Sequence, residues 1–482
     1  MNTNIENLEP KIVWNNFKKI CNVPHPSHHE EKIREMMLDF CKNLGLHPIM
    51  DEAGNIIVSK PATKGMEDRK VIILQAHLDM VPQANSDKKH DFETDKISAY
   101  IDGEWVRADG TTLGADNGIG AAAAMAVLES TDLQHGTIEC LFTATEETGM
   151  DGAFGLQPNM LKGDILLNLD SEDEGELFVG CAGGIDVFAE FDYTTEKVKG
   201  KALKLHLYGL SGGHSGLQIH LGRANANKVM ARLLQKGLDL GLQIATFKGG
   251  DMRNAIPREA FVTIVLPEDK IAEFKKLADN FTDIFKKEFS ATEPDLALAV
   301  EDTTVEEVMT FTDSKKLIDL IRALPNGVMR MSDAVPGLTE TSTNMGIVRV
   351  KDGHAKIYNL ARSSVESAKE ALSEMFRAIC DLSGVTYETE GGYPGWKPNM
   401  QSPILNTMLK VYEDNFGKKP KVMAVHAGLE CGLFSTKYPH WDMISFGPTI
   451  VSPHSPDEKV KIDTVGKFWD FLVKTLENAP KK

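Results

Sequence analysis

The stretch "TLGADNGIGAAAAMAVL", residues 112–128, places an acid in a glycine-rich turn directly before an alanine-rich segment that predicts a helix. Its small residues fit the loose pattern G-x-G-x-x-G/A, in which backbone N–H groups at a helix N-terminus bind a dinucleotide pyrophosphate. That pattern should follow a hydrophobic strand, whereas residues 107–113 are polar turn formers. The carboxylate of Asp116 would also repel phosphate. The sequence therefore disfavours a nucleotide site here, so we expect the carboxylate of Asp116 to have a different binding partner.

Length and composition narrow the class of protein. The chain has 482 residues, which predicts at least two domains, and its 42% hydrophobic and 26% charged residues are typical of a soluble globular protein. A formal net charge of −17 argues against nucleic acid or an acidic membrane surface as a partner. No apolar leader or bilayer-spanning run is present, and the six cysteines lack CxxC spacing. We therefore expect a cytoplasmic protein without disulfides.

Apolar runs alternate with helical patterns near both ends of the chain. Residues 28–45 place their apolar side chains on one helical face, and Ser27 with Glu30 predicts a capping box at its start. Residues 119–128 predict a second helix between buried strands. The predicted strands of this α/β core are residues 71–76, 137–145 and 164–169. The alternation resumes late in the chain with a strand at 443–446 and a helix near 464–476.

The middle of the chain has a different pattern of predicted strands and helices, which indicates an inserted α+β domain over residues 187–395. Residues 201–208 and 260–266 predict strands, and residues 225–234 and 271–285 predict helices that cover them. The stretch "EGGYPGWKPN", residues 390–399, predicts the return linker. Residues 1–186 and 396–482 then form the α/β domain.

Polar side chains collect where the predicted core strands end. In "QAHLDMV", His77 and Asp79 are two residues apart, so in an extended chain both side chains leave the same face. That geometry lets an acid orient a metal-ligating imidazole, although a histidine can also sit beside an acid by chance.

Further acids and a histidine follow other strands. "TATEETGMDG" supplies Glu146 and Glu147, "LNLDSED" supplies Asp170, and "SPHSPDE" supplies His454. Each has an ordinary alternative: a solvated loop for the glutamates, a turn or helix cap for the aspartate, and a surface position for the histidine.

Five of these candidates could meet at one edge of the sheet: His77, Asp116, Glu147, Asp170 and His454. Carboxylates combined with imidazoles suit zinc, manganese or cobalt. Five such ligands exceed one tetrahedral zinc site, but a carboxylate shared between two ions would fill two sites. A bridging role would explain the acid in the opening turn.

The motifs "HLD", "GADNGIG", "EETG", "LDSE" and the late "PH" resemble those of the dinuclear-zinc metallopeptidases related to carnosinase and aminoacylase. With "GLSGGHSG", "NAIP" and "HAGLECG" added, the chain is similar over nearly its full length to the bacterial aminoacyl-histidine dipeptidases, or cytosol non-specific dipeptidases. The resemblance implies a catalytic domain with a mixed central sheet flanked by helices, and an inserted domain that acts as a lid and dimerises. It also implies two divalent metal ions and a small peptide substrate.

The same resemblance implies a role for each core residue. His77, Asp116 and Asp170 would hold one metal, and Asp116, Glu147 and His454 the other. Glu146 would be the general base, Asp79 would orient His77, and the peptide bond after Asp116 would be cis.

Four further residues are candidates for substrate contacts. His214 would stabilise the oxyanion, in some relatives from a partner subunit, but a histidine after two glycines can also be a turn residue. Asn254 and Arg362 are candidates for the substrate's carboxylate, although the first could be a turn former and the second a surface charge. Glu430 could bind the free amino group or cap a helix.

The sequence thus predicts hydrolysis of dipeptides, Xaa-His and others, by a water that bridges two metal ions. A serine hydrolase is excluded, because Leu217 stands where the G-x-S-x-G motif in "GGHSGL" needs its last glycine. An N-acyl amino acid deacylase with the same site, or a metal-binding protein without turnover, stays open as an alternative.

Overall fold

The computed structural model describes residues 2–482, which divide into two compact units. The first unit comprises residues 2–180, 398–424 and 429–482, and the second comprises residues 181–397 and 425–428. Each unit has its own hydrophobic core. The catalytic and lid roles that the sequence suggested for the two parts stay predictions.

An eight-stranded mixed sheet forms the centre of the first unit. In order across the sheet, its strands are Ile49–Met50, Ile56–Lys60, Ile138–Thr143, Ile72–His77, Ile165–Asn168, Asp442–Ser445, Glu176–Cys181 and Lys421–Val425. All six residues of Ile72–His77 are buried, as expected for a central strand that is covered on both faces.

The four central strands of this sheet are parallel. Their carboxyl ends therefore lie at the same edge, and the loops that follow them are neighbours. A second, four-stranded antiparallel sheet in this unit has the order Ile450–Val451, Lys459–Lys461, Trp105–Ala108 and Ala99–Asp102.

Seven α-helices belong to the first unit within the described residues: Lys11–Cys21, Glu31–Asn43, Ala115–Glu129, Asp151–Gly155, Pro403–Phe416, Glu430–Lys437 and Ile462–Glu477. The helix Ala115–Glu129 is apolar on all sides, so every residue from Asn117 to Leu128 is buried. It packs against the strand Ile72–His77 and the helix Lys11–Cys21. Its first turn therefore lies at a fixed position relative to the end of that strand.

The second unit is built on a nine-stranded antiparallel sheet. In order, eight of its strands are Ala297–Thr303, Lys201–Tyr208, Ala260–Leu266, Gln243–Gly249, Thr339–Lys351, His354–Ser363, Gly183–Asp192 and Thr386–Tyr393, and Gly327–Met331 pairs with Thr339–Lys351. Burial alternates along Lys201–Tyr208, as expected when one face of a sheet is covered by helices.

The covering helices are Ala226–Gly237, Ile271–Glu288, Phe311–Ala323 and Glu366–Ser383. Two short strand pairs complete the unit: Thr195–Lys197 with Glu307–Met309, and Gly213–His214 with Ala255–Ile256. Short 3-10 helices over the described residues are Ile5–Asn7, Ile219–Leu221, Leu238–Leu240 and Glu268–Lys270. No helix among these residues is both long and apolar enough to cross a membrane.

Two local predictions from the sequence are wrong. Ser27 and Glu30 form no capping box, because the helix Glu31–Asn43 begins without a side-chain cap and the hydroxyl of Ser27 donates to Asp79 instead. Part of the predicted return linker is a strand, since Thr386–Tyr393 pairs with Gly183–Asp192. The two glycines read as linker residues, Gly391 and Gly392, have positive φ and accommodate a register shift within that pairing.

Candidate metal centre

Three loops that follow the parallel strands bring carboxylates to the edge where His77 ends its strand. Three sets of side chains offer potential ligand atoms, and within each set these atoms all lie within 4.8 Å of one another. These sets are His77, Asp116 and Asp170; Asp116, Glu147 and His454; and His77, Glu146 and Glu147. The structure thus brings together the five predicted ligands and the predicted base, all within the first unit.

Asp116 lies between the two histidines. Its Oδ1 is 3.1 Å from Nε2 of His77, and its Oδ2 is 3.1 Å from Nε2 of His454. Oε2 of Glu147 is 2.9 Å from the same nitrogen of His454, and Oδ1 of Asp170 is 3.4 Å from Nε2 of His77. One carboxylate therefore belongs to two ligand groups, one through each oxygen.

The peptide bond between Asp116 and Asn117 is cis, as the resemblance implied. Asn117 directs its side-chain amide to the carbonyl of Leu169, with a distance of 3.0 Å, and to the carboxylate of Asp170. The turn that carries Asp116 is in this way joined to the loop that carries Asp170.

Asp79 organises the neighbouring groups. Nδ1–H of His77 donates to the carbonyl of Asp79 at 3.0 Å, which leaves Nε2 free to act as a ligand. The carboxylate of Asp79 lies 3.3 Å from the same Nδ1 and accepts the backbone N–H groups of Glu146 and Glu147 at 2.9 and 3.2 Å. The hydroxyl of Ser27 also donates to it, at 2.8 Å. Asp79 thereby contacts both His77 and the turn that carries Glu146 and Glu147.

The glutamate turn is held from its other side by Glu30. Thr145 has a positive φ of 51°, and its hydroxyl donates to Oε1 of Glu30 at 2.6 Å. The next residue is Glu146, where burial and the charges of Asp170 and Glu430 raise the pKa of the carboxyl well above its usual range.

The donor set fits divalent metal ions. Among the described residues, the ion pairs of Asp116, Asp170 and Glu147 are with the two histidines only, so the cluster holds more acids than cations. Oε1 of Glu147 is buried without a hydrogen-bond partner. Hydrogen bonds to Asp116 and Glu147 raise the pKa of His454 to about 11. A cluster with this excess of negative charge favours a bound cation, and its mixture of oxygen and imidazole donors suits zinc, manganese or cobalt.

Glu430 is fully buried beside this cluster, at the first position of the helix Glu430–Lys437. Its Oε2 accepts hydrogen bonds from Gln75 at 2.6 Å and from Thr143 at 2.9 Å, and its Oε1 has no partner. Gln75 precedes His77 by two residues on the same strand, which places this carboxylate next to the ligands. Burial raises the pKa of Glu430 to about 8.

The other three predicted substrate residues belong to the second unit. His214 and Asn254 line one cavity of about 570 Å³. Nδ1 of His214 accepts the backbone N–H groups of Gly216 and Leu217 at 3.2 and 3.0 Å, so the ring carries its hydrogen on Nε2. Burial and the charge of Arg362 lower the pKa of His214, which favours this neutral form.

Arg362 is 5% exposed and is oriented by one tyrosine. Its terminal nitrogen donates to the hydroxyl of Tyr393 at 2.8 Å, and its Nε has no hydrogen-bond partner. The side chain is therefore not a surface charge, and its guanidinium keeps donors available for an anion.

Several supporting residues escaped the sequence analysis: Ser27 and Glu30 in their observed contacts, Gln75, Tyr393 and Glu458. Glu458 lies in the quoted stretch "SPHSPDE", but no local pattern marks it, because the backbone N–H groups of residues 113–116 that it accepts are distant in sequence. Gln75 and Tyr393 had no signal either, because their contacts also depend on tertiary structure.

Comparisons with known proteins give a consistent picture. Residues 73–478 match Peptidase family M20/M25/M40. The chain is 48% identical over 482 residues to the cytosol non-specific dipeptidase of Escherichia coli strain K12, with 99% of each chain covered. It is also 48% identical to the aminoacylhistidine dipeptidase of Vibrio alginolyticus, whose crystal structure superposes with a TM-score of 0.94 over 99% of this chain and 98% of that one.

A more distant likeness concerns the fold alone. An aminopeptidase structure from Bacillus cereus matches with a TM-score of 0.57 at 17% identity, covering 98% of this chain and 99% of the other. The comparisons confirm the fold class predicted from the sequence, an α/β structure with a mixed central sheet.

Proposed function

This chain belongs to Peptidase family M20/M25/M40 and is a peptidase, and from that premise we propose that it is a metal-dependent dipeptidase with its reaction centre at the ligand groups of the first unit. The observation that carries the proposal is Asp116, whose two carboxylate oxygens each face a histidine of a different ligand group. The two relatives that are 48% identical to this chain are named dipeptidases, which supports a substrate of two residues, with Xaa-His among those cleaved.

Two divalent metal ions, zinc in our proposal, fit the donor set. His77, Asp116 and Asp170 would hold one, and Asp116, Glu147 and His454 would hold the other. When bound, such ions lower the pKa of a water and polarise the peptide carbonyl. Asp79 would keep Nε2 of His77 directed at its metal by holding the opposite side of the ring.

Glu146 is the proposed general base. Its turn is fixed by the contacts of Asp79 and Glu30, so the carboxylate has a defined position beside the ligands. From that position, the carboxylate would first take a proton from the attacking water and then give it to the leaving amine.

The remaining residues would bind the substrate. Glu430 has a buried, unpartnered Oε1 that could accept from the free amino group. Nε2–H of His214 would donate to the oxyanion, and Arg362, with Asn254, would bind the terminal carboxylate. A free C-terminal carboxylate is the substrate group that such a guanidinium would bind.

The proposal includes three expectations for the intact protein. We expect a cytoplasmic location, no nucleic-acid or membrane partner, and a homodimer formed through the second unit.

The test is hydrolysis of a panel of dipeptides, tripeptides and N-acetyl amino acids by metal-stripped protein, before and after zinc or manganese is restored. Metal-dependent release of amino acids from dipeptides alone is the expected result. Turnover of N-acetyl amino acids alone would contradict the proposal and indicate an N-acyl amino acid deacylase. Tight metal binding without any turnover would also contradict it and indicate a metal-binding protein that is not an enzyme.

A further inference from the structure

The helix Ala115–Glu129 begins without a capping side chain of its own. Its N-terminal flanking residue is Gly114, in the left-handed region with φ of 70°, and no side chain from the preceding turn accepts a hydrogen bond from the first helical N–H groups. The first N–H groups of a helix have no acceptor within the helix and need one from elsewhere. This requirement matters here because the unsupported turn carries Asp116.

A buried carboxylate from the opposite end of the chain supplies the missing acceptors. Oε2 of Glu458 accepts the backbone N–H groups of Leu113 and Gly114 at 2.7 and 3.0 Å. Its Oε1 accepts those of Ala115 and Asp116 at 2.8 and 3.3 Å. Glu458 is 2% exposed, and both its oxygens are used for these four consecutive N–H groups.

The position of Glu458 is itself fixed by the small antiparallel sheet. It directly precedes the strand Lys459–Lys461, which pairs with Trp105–Ala108 shortly before the Asp116 turn. Its own N–H donates to the carbonyl of Ser455 at 3.0 Å, which closes the loop that carries His454. One short loop therefore contacts Asp116 twice, through its carboxylate by His454 and through its backbone by Glu458.

We propose that Glu458 is a positioning residue of the metal centre, which holds the backbone of residues 113–116 so that Asp116 reaches both His77 and His454. This inference rests on the proposed metal-dependent function. It assigns Glu458 a role through Asp116 and not through contact with substrate. A displacement of the turn would separate Asp116 from both ligand groups together, so both metal sites depend on Glu458.

The test compares two buried glutamates of the first unit that each accept backbone N–H groups. Glu139 accepts those of Lys162 and Gly163, both at 2.9 Å, and is 6% exposed, but it lies outside the ligand groups. Glu458→Gln offers one acceptor oxygen where the native side chain has two, so two of the four N–H groups lose their acceptor. We expect Glu458→Gln to weaken zinc binding by about 10–100-fold, measured by competition with a chelator, because supporting residues of metal ligands have effects of that size.

Glu139→Ala removes the one oxygen that accepts both N–H groups, so it should lower the melting temperature and leave zinc affinity unchanged. Wild-type zinc affinity in Glu458→Gln, or an equal loss in both variants, would overturn the proposal. If the wild-type chain binds no metal, the proposed function fails.

A second measurement does not depend on the folding of a variant. In the metal-free, full-length wild-type chain, the amide hydrogens of residues 113–116 should exchange slowly with solvent, although amides at a helix start usually exchange fast. Rapid exchange at these four amides would show that Glu458 does not hold the turn and would overturn the proposal.

Discussion

The two units of the molecule hold their candidate functional residues in different ways. In the first unit, every predicted ligand of the cluster contacts another predicted ligand or a supporting side chain. Asp116, for example, is contacted by His77, His454 and Glu458. In the second unit, Arg362 is held by one tyrosine hydroxyl and keeps an unpartnered donor. A metal centre needs donors fixed relative to one another, whereas a substrate site must leave donors free for a ligand that comes and goes. Variants of the predicted metal ligands in the first unit should therefore change metal content, and variants of Arg362 and its supporting tyrosine in the second unit should change KM.

The largest effect is expected for Asp116→Ala. Because one oxygen of Asp116 serves each ligand group, the variant should lose both metal ions and fall to background hydrolysis. Metal content per chain, measured by mass spectrometry of the metal, and dipeptide hydrolysis check this together. Asp132→Ala, an exposed acid beyond the end of the same helix, is the matched control and should behave as wild type. Retention of one metal at full affinity in Asp116→Ala would contradict a shared ligand.

A smaller effect is expected for Arg362→Lys in the second unit. Lysine cannot make a bidentate contact with a carboxylate, and the loss of a charged hydrogen bond corresponds to about tenfold to a hundredfold in KM. Steady-state kinetics on a dipeptide should show this increase while metal content stays unchanged. Arg349→Lys, on the neighbouring strand of the same sheet, provides the control. A loss of metal in Arg362→Lys would break the distinction between the two units.

The smallest effect is expected for Tyr393→Phe. The variant removes the hydroxyl that orients Arg362 but leaves the guanidinium in place, so KM should rise by no more than about tenfold. Tyr358→Phe is a suitable control, since the ring of Tyr358 packs against Phe188 in the same sheet. An effect of Tyr393→Phe as large as that of Arg362→Lys would mean that the tyrosine itself binds substrate.

Much of the fold was predictable because burial leaves a clear pattern in the sequence. The predicted strands at 201–208 and 260–266 coincide with Lys201–Tyr208 and Ala260–Leu266, where alternation or continuous apolarity marks the sheet. The convergence of the five predicted ligands was also foreseen. Parallel strands that share one edge explain it for His77, Glu147 and Asp170, whereas Asp116 begins a helix and His454 lies between two strands of the small antiparallel sheet. The resemblance to a known family, confirmed by the comparisons, added the expected roles.

The predictions that were wrong, and the residues that were missed, depended on contacts between segments that are distant in sequence. Ser27 and Glu30 match a local capping motif, but their side chains form hydrogen bonds with Asp79 and Thr145, respectively, which are remote in sequence. Glu458 is a helix cap contributed from more than 300 residues away, for which no local pattern exists. Gly391 and Gly392 led to the prediction of a linker, but glycines are equally compatible with an irregular strand, and these two lie in one.

The central claim is that Glu146 acts as a base beside a metal centre held by other residues. Its carboxylate also lies within one of the potential ligand sets, with His77 and Glu147, so the two roles need to be separated. The decisive measurement is the metal content and the kcat of Glu146→Gln. We predict two metal ions per chain at wild-type affinity with kcat lower by about 10²–10⁴-fold, the usual contribution of general acid–base catalysis. Loss of a metal ion together with activity, or a near wild-type kcat, would contradict the account.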